Sequence, residues 1–321
     1  MSLDTLCGLF GYTRQGYWKQ HRATCSEAMD DTAIVGEVRL IREEMPRLGV
    51  RKLQVILRDS GHDIGRDRLF ELLRDSGMLV KRRRNRAVTT YSKHWMKKWP
   101  NLVRGTEPSR PGEVWVSDIT YIETVRGPSK TFLFLSLITD AFTHEIVGYA
   151  LHDTLDTSGP LRALAMAISQ YPPGALKGLI HHSDRGAQYC SREYVSRLQQ
   201  HGILISMTEC GDPYENAIAE RVNGILKTEW LYDMTLVSYD QARKTIDRIV
   251  YLYNNVRPHE SVGNMTPAAA RKYSKAPKKL WKNYWRLRQQ PAGEEGPCPE
   301  PPAAGRVVAA AHRIRAAAVP P

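Results

Sequence analysis

The sequence predicts an α/β fold for residues 111–270, a mixed five-stranded sheet flanked by helices, with an all-helical region ahead of it. Three observations predict it. Residues 114–151 hold three β-rich stretches in succession. Residues 157–220 then alternate helix, strand, helix, strand, helix. Residues 1–75 place their apolar positions at helical spacing, broken by Ser60-Gly61 and Ser76-Gly77. A chain of 321 residues has room for two or three domains at roughly 100–200 residues each.

Charge narrows the partner. The net +12 is split into +9 over residues 1–110, −5 over 111–270 and +8 over 271–321. An acidic centre between basic arms suits a metal-dependent enzyme acting on a polyanion: the arms meet phosphates and the centre holds cations. No run reaches the roughly 18 apolar residues of a membrane span, so no membrane partner is expected. Met1 to Gly11 has no basic stretch ahead of its short apolar patch and is not read as a signal peptide. Cys7, Cys25, Cys190, Cys210 and Cys298 are scattered without a Cys-x-x-Cys. That pattern points to reduced thiols in a cytoplasmic compartment and away from a cysteine zinc site.

In order, Leu3 to Leu9 and Tyr12 to Lys19 read as two short helices about a Gly turn, at helix-turn-helix spacing, with Arg14, Gln15 and Lys19 available to a DNA backbone or groove. Thr32 to Met45, Leu48 to Leu57 and Ile64 to Leu73 read as three further helices. The basic run Lys81, Arg82, Arg83, Arg84 and Arg86 precedes aromatics set among lysines, Tyr91 to Trp99, and suits a phosphate backbone. The expected division is a helical DNA-binding region with its basic arm over 1–99 and a linker over 100–110. The catalytic core follows over 111–270, then a basic segment with Trp281, Tyr284 and Trp285 over 271–290, and a disordered tail over 291–321.

Within the core, Val114 to Ile122, Phe132 to Ile138 and Glu145 to Leu151 read as strands, and residues 157–171 as a helix. Leu179 to His182 is a fourth strand, residues 191–200 a helix, Ile203 to Met207 a fifth strand, and a long helix starts near Asn216. That order describes the ribonuclease-H-like fold. Asp118 falls in mid-strand, where an ionised carboxylate is expensive unless paired or holding a cation. Asp184 follows an apolar strand, at the carboxyl end where open α/β sheets bind ligands; taken alone, it reads first as the N-cap of the next helix. On the last helix Asn216, Glu220, Asn223 and Lys227 share one face at about 100° per residue, which suits either solvent or a metal site opening onto phosphates. His181, His182 and His259 read as packing or hydrogen-bonding residues, since hard oxygen ligands suit Mg²⁺ or Mn²⁺ without imidazole.

The strings WVSDITYI, HHSDRGAQY, DPYENAIAERVNGILKTE and YNNVRPHESVGNMTP together resemble the integrase core of bacterial insertion-sequence transposases, specifically the second-frame product of the IS-three family, related to retroviral integrases. The resemblance covers about residues 110–270, and more weakly the helical region before it. It implies a DNA transposase that cleaves and transfers strands at the terminal inverted repeats of its element. Asp118, Asp184 and Glu220 would be the catalytic triad holding two Mg²⁺ (or Mn²⁺) ions, with no covalent protein intermediate. It implies Lys227 as an element-end contact, with Asn216 and Asn223 beside it, and Gly186 and Asn216 stand where the family has them. Glu215 departs from the family's usual Asp, and Glu209-Cys210 from its usual basic residues, which unsettles DNA contacts there. The implied partners are double-stranded DNA, further copies of the chain on that DNA, and a first-frame protein; the implied place is the bacterial cytoplasm, on the nucleoid. Two other readings are a silent DNA-binding regulator descended from a transposase and a structure-selective nuclease of the same fold.

Overall fold

The structure, a computed structural model, describes residues 2–81, 96–104, 107–126, 129–209 and 216–273. The expectations for Arg82, Arg83, Arg84, Arg86, Tyr91, Lys93 and Trp95, for the loop 211–214, and for the segments 274–290 and 291–321 lie outside the described residues.

Helix α1 spans Leu3–Leu9 and begins at Ser2, whose side chain accepts the Thr5 N–H. Helix α2 spans Arg14–Glu44, one helix of 31 residues where two separate ones, Tyr12 to Lys19 and Thr32 to Met45, are expected from sequence. The physical reason is that residues 17–35 contain neither Gly nor Pro, so nothing interrupts the hydrogen-bond ladder once it starts. Helices α3 (Val50–Asp59) and α4 (Arg66–Asp75) both end on Ser-Gly, with Gly61 and Gly77 at positive φ.

The sheet is built from β1 (Val114–Arg126), β2 (Ser129–Asp140), β3 (Ile146–His152), β4 (Ile180–Ser183) and β5 (Leu204–Met207), in the order β3-β2-β1-β4-β5. The three N-terminal strands pair antiparallel, while β1–β4 and β4–β5 are parallel. This is the expected ribonuclease-H-like order. Helix α5 (Ser158–Ser169) crosses from β3 towards β4, and α6 (Ala187–Cys190) with α7 (Arg192–Gln200) crosses from β4 to β5. Helices α8 (Ala217–Glu229), α9 (Tyr239–Asn255) and α10 (Pro267–Ala270) complete the described chain.

Each face of the sheet buries its own apolar layer. Trp115, Ile138, Val147, Leu164, Tyr194, Leu198 and Met207 pack under α5 and α7. There Gly148 admits α5 at close range: a Cβ on it would stand 2.2 Å from the Ala163 carbonyl oxygen. A second cluster joins Leu53, Leu57, Leu69 and Leu73 of α3 and α4 to Leu133 and Leu135 of β2, Val222 and Leu226 of α8, and Ile246 and Tyr253 of α9. The N-terminal helices therefore share a core with α8 and α9.

Candidate active site

Register brings the first two carboxylates together. Ser117 of β1 pairs in parallel with Ser183 of β4, so Asp118 and Asp184 are the next residues along neighbouring strands. Residues matched across a parallel pair share a face. That face also carries Val114 and Val116, which cluster with Ala219 of α8. Asp184 caps no helix: the N-cap of α6 is Gly186 and that of α7 is Ser191. Its Oδ1 accepts the Gly186 N–H at 2.9 Å, and a Cβ on Gly186 would stand 2.9 Å from that same oxygen. Glycine at 186 thus leaves the Asp184 turn its room.

Helix α8 lays its polar stripe against this point. Asn216, its N-cap, makes no capping bond with its side chain; its amide instead donates to the Ser117 carbonyl at 3.1 Å. Asn223 donates to Asp118 Oδ2 at 2.6 Å. Glu220 stays exposed at the rim, whereas Asn223 is buried and Lys227 half-buried. The stripe is therefore no simple solvent face.

The electrostatics are those of like charges held close. Burial first, then the Asp184 charge, pushes the Asp118 carboxyl up to about 7; Glu220 adds to the shift, and the Ile119 N–H and Asn223 amide only partly oppose it. Partial desolvation moves Glu220 upward too. Burial lowers Lys227, against the attraction of Asp118. A buried carboxylate repelled by two others is short of positive charge, and hard oxygen donors suit a divalent cation. By donor chemistry and charge the residues fit such an ion. Among the described residues, however, no three His, Cys, Asp or Glu side chains stand close enough together to hold one.

Several other polar residues near the sheet are engaged with one another. His181 Nε2 meets the Tyr194 hydroxyl at 3.0 Å, His182 Nδ1 meets Ser206 Oγ at 2.8 Å, and His259 stacks on His144 with ring centres 4.7 Å apart. Asp140, another carboxylate at a strand end, accepts the N–H groups of Gly112, Phe142 and Thr143 and so closes a turn. Lys81, at the edge of the described residues, is exposed. Sequence reasoning missed one buried ionic group, Lys52, Glu229 and Arg257, because ion pairs between distant segments leave no periodic trace.

Family models described as integrase core domain match residues 108–213 and 201–267. The chain is 38% identical over 272 residues to the insertion element IS600 uncharacterized 31 kDa protein of Shigella sonnei, covering 83% of this chain and 97% of that protein. It is 31% identical to the transposase for insertion sequence element IS629 of Shigella sonnei, over 77% of this chain and 81% of the relative. Against transposase InsF for insertion sequence IS3A of Escherichia coli K12 the identity is 27%, over 83% of this chain and 92% of that one.

Proposed function

Because the chain belongs to the insertion-sequence transposases of the IS3 type with an integrase core, and is thus a DNA transposase, we propose that Asp118, Asp184 and Glu220 are its catalytic carboxylates. The observation that supports this best is the state of Asp118 at the meeting of β1, β4 and α8: burial first, then the charges of Asp184 and Glu220, raise its carboxyl to about 7. A pair of divalent ions, Mg²⁺ or Mn²⁺, would supply Lewis acidity to both the attacking and the leaving oxygen of a phosphodiester. The residues themselves have three tasks. Asp118 presents its oxygens from within β1, and Asp184 from the turn just past the end of β4. Asn223 orients the Asp118 carboxylate through its amide. Glu220, on a helix rather than a strand, brings the third oxygen from the exposed rim. Lys227, two turns further along α8 at about 10 Å, would meet a phosphate or base of the element end, with Asn216 on the same stripe.

The proposed substrate is the terminal inverted repeat of the chain's own element, then target DNA, with strand cleavage followed by strand transfer. The basic run Lys81, Arg82, Arg83, Arg84 and Arg86 would add phosphate contacts. The division proposed is DNA binding over 1–99, catalysis over 111–270 and a basic segment over 271–290. Several copies on DNA and a first-frame partner protein complete the proposed machine, working on the nucleoid in the cytoplasm. No helix among the described residues is long and apolar enough to cross a membrane.

The test is a set of isosteric changes. Asp184→Asn and Glu220→Gln should each abolish Mg²⁺-dependent cleavage of a duplex ending in the terminal repeat, with binding of that duplex within a few-fold of wild type. Near wild-type cleavage by either variant would remove that residue from the centre.

A further inference from the structure

Arg257 is buried to 1% exposure, its guanidinium 5.7 Å from the centre of the Tyr253 ring. Its guanidinium forks onto Glu229: Nε donates to Oε2 at 2.7 Å and Nη2 to Oε1 at 2.6 Å. Lys52 Nζ reaches the same Oε1 at 3.3 Å. Burial pushes the Glu229 carboxyl up, but the hydrogen bonds and charges of Arg257 and Lys52 outweigh it and hold it below its ordinary value. The group is therefore ionised inside the fold. A buried ion pair stabilises no better than well-packed apolar side chains of the same size. What a forked pair adds is a fixed orientation.

The three partners come from three segments. Lys52 lies in the first turn of α3, Glu229 is the last residue of α8, and Arg257 follows the end of α9. Glu229 lies nine residues after Glu220, so it projects from the opposite side of α8, about 13 Å further along the axis. The Trp230 indole N–H adds a bond to the Glu44 carbonyl of α2 at 2.8 Å. At the other end of α8, Asn216 and Asn223 are bonded to Ser117 and Asp118. The helix is thus a rod held at both ends, and any slide or roll of it moves Glu220 against Asp118 on β1 and Asp184 just past β4.

We propose that the Arg257–Glu229 fork, with Lys52 beside it, is a positioning device that sets the axial and rotational seat of α8 and so delivers Glu220 to Asp118 and Asp184. The inference rests on Glu220 belonging to the catalytic centre. Arg257 is then a positioning residue, touching neither DNA nor metal. Lys52 makes the N-terminal helices part of the same seat.

The test uses the full chain with two variants. Arg257→Lys keeps the charge and loses the fork; the pair Arg257→Met with Glu229→Met removes both charges and keeps the volume. Expected for each is unchanged affinity and KM for the terminal-repeat duplex, with kcat lowered ten-fold or more. The Mg²⁺ concentration for half-maximal cleavage should rise. Without any metal, amide hydrogen exchange over residues 217–224, at the far end of the rod, should quicken at least several-fold while the sheet amides keep their rates. Wild-type kcat and wild-type exchange in both variants would overturn the proposal, as would a kcat loss matched by an equal loss of duplex affinity. Should Arg257→Lys fail to fold, the double variant decides alone. Glu220→Gln separates the two claims. If it still cleaves, the catalytic assignment falls; if it is dead while both variants behave as wild type, only the positioning role falls.

Discussion

Ser117 and Asp118 are neighbours in β1 that face opposite sides of the sheet, and their surroundings could hardly differ more. On the Ser117 side the polar groups are neutral and bonded in pairs: Ser117 Oγ lies 2.9 Å from the Tyr189 hydroxyl, and His181 pairs with Tyr194. On the Asp118 side a buried carboxylate is repelled by Asp184 and Glu220, with amides and a half-buried lysine as its company. A closed neutral network stabilises the fold and has nothing left to offer a ligand. A buried carboxylate pushed upward by other carboxylates costs stability and invites a cation. Being polar and buried is common to both sides; being short of positive charge marks only one.

The largest effect that would break this contrast is Asp118→Asn against Ser117→Ala. Asp118→Asn should abolish metal-dependent cleavage yet leave the melting temperature, measured in chelator, unchanged or raised, because it removes a repelled charge and keeps the shape. Ser117→Ala should do the opposite: cleavage persists, and stability falls by about 1–3 kcal/mol as the Tyr189 hydroxyl loses its buried partner. Chemical denaturation and a cleavage assay on both variants check it. Loss of stability in Asp118→Asn, or loss of cleavage in folded Ser117→Ala, would erase the distinction between the two faces.

Much of this was readable from the sequence, for a physical reason. β-branched and aromatic runs between turn residues mark strands locally, and all five were placed within a few residues of where they lie. Asp118 and Asp184 stood out because a carboxylate inside or just after an apolar strand contradicts its surroundings. Yet Asp140 also ends an apolar strand and looks the same in sequence. Only the three backbone donors around it, from Gly112, Phe142 and Thr143, show that it is structural. The Arg257–Glu229 pair was invisible for a related reason. Its members lie in different segments, Arg257 within a turn-rich string that follows α9. The join of α2 into one helix was missed because residues 20–31 carry no apolar face, and helices without one have no periodic signature.

The neutral side can be sharpened by acid. Burial lowers His181 to about 3, below an unfolded value near 6.5. The unfolded chain then binds the extra proton first, so the stability this residue contributes is present above about pH 6.5 and is lost as pH falls from there towards 3. Each such histidine steepens the loss by up to about 1.4 kcal/mol per pH unit. His144, lowered to about 4 by burial, acts in the same direction. His181→Gln keeps an acceptor for the Tyr194 hydroxyl but cannot titrate. Denaturation at pH 7.5 and 5.0 should show a smaller drop in the variant than in wild type; equal drops would mean that His181 is not held neutral by the closed side.

The smallest effect asks how far the open side extends along α8. Lys227 sits half-buried on the stripe that carries Glu220 and Asn223, within the attraction of Asp118. Lys244 lies exposed on α9, with no helical phase relation to the triad. Lys227→Ala should weaken binding or cleavage of the terminal-repeat duplex by about 1–3 kcal/mol, as for one phosphate or base contact, and Lys244→Ala should change neither. Because its stem is partly covered, Lys227→Ala should also cost up to about 1 kcal/mol of stability, which a melting curve separates from the DNA effect. The affinity of Lys227→Ala should moreover depend less steeply on salt, since one released counterion is lost with the contact. Equal affinity losses at both lysines, or an unchanged salt slope for Lys227→Ala, would confine the open side to the carboxylates and leave Lys227 as a packing residue of α8.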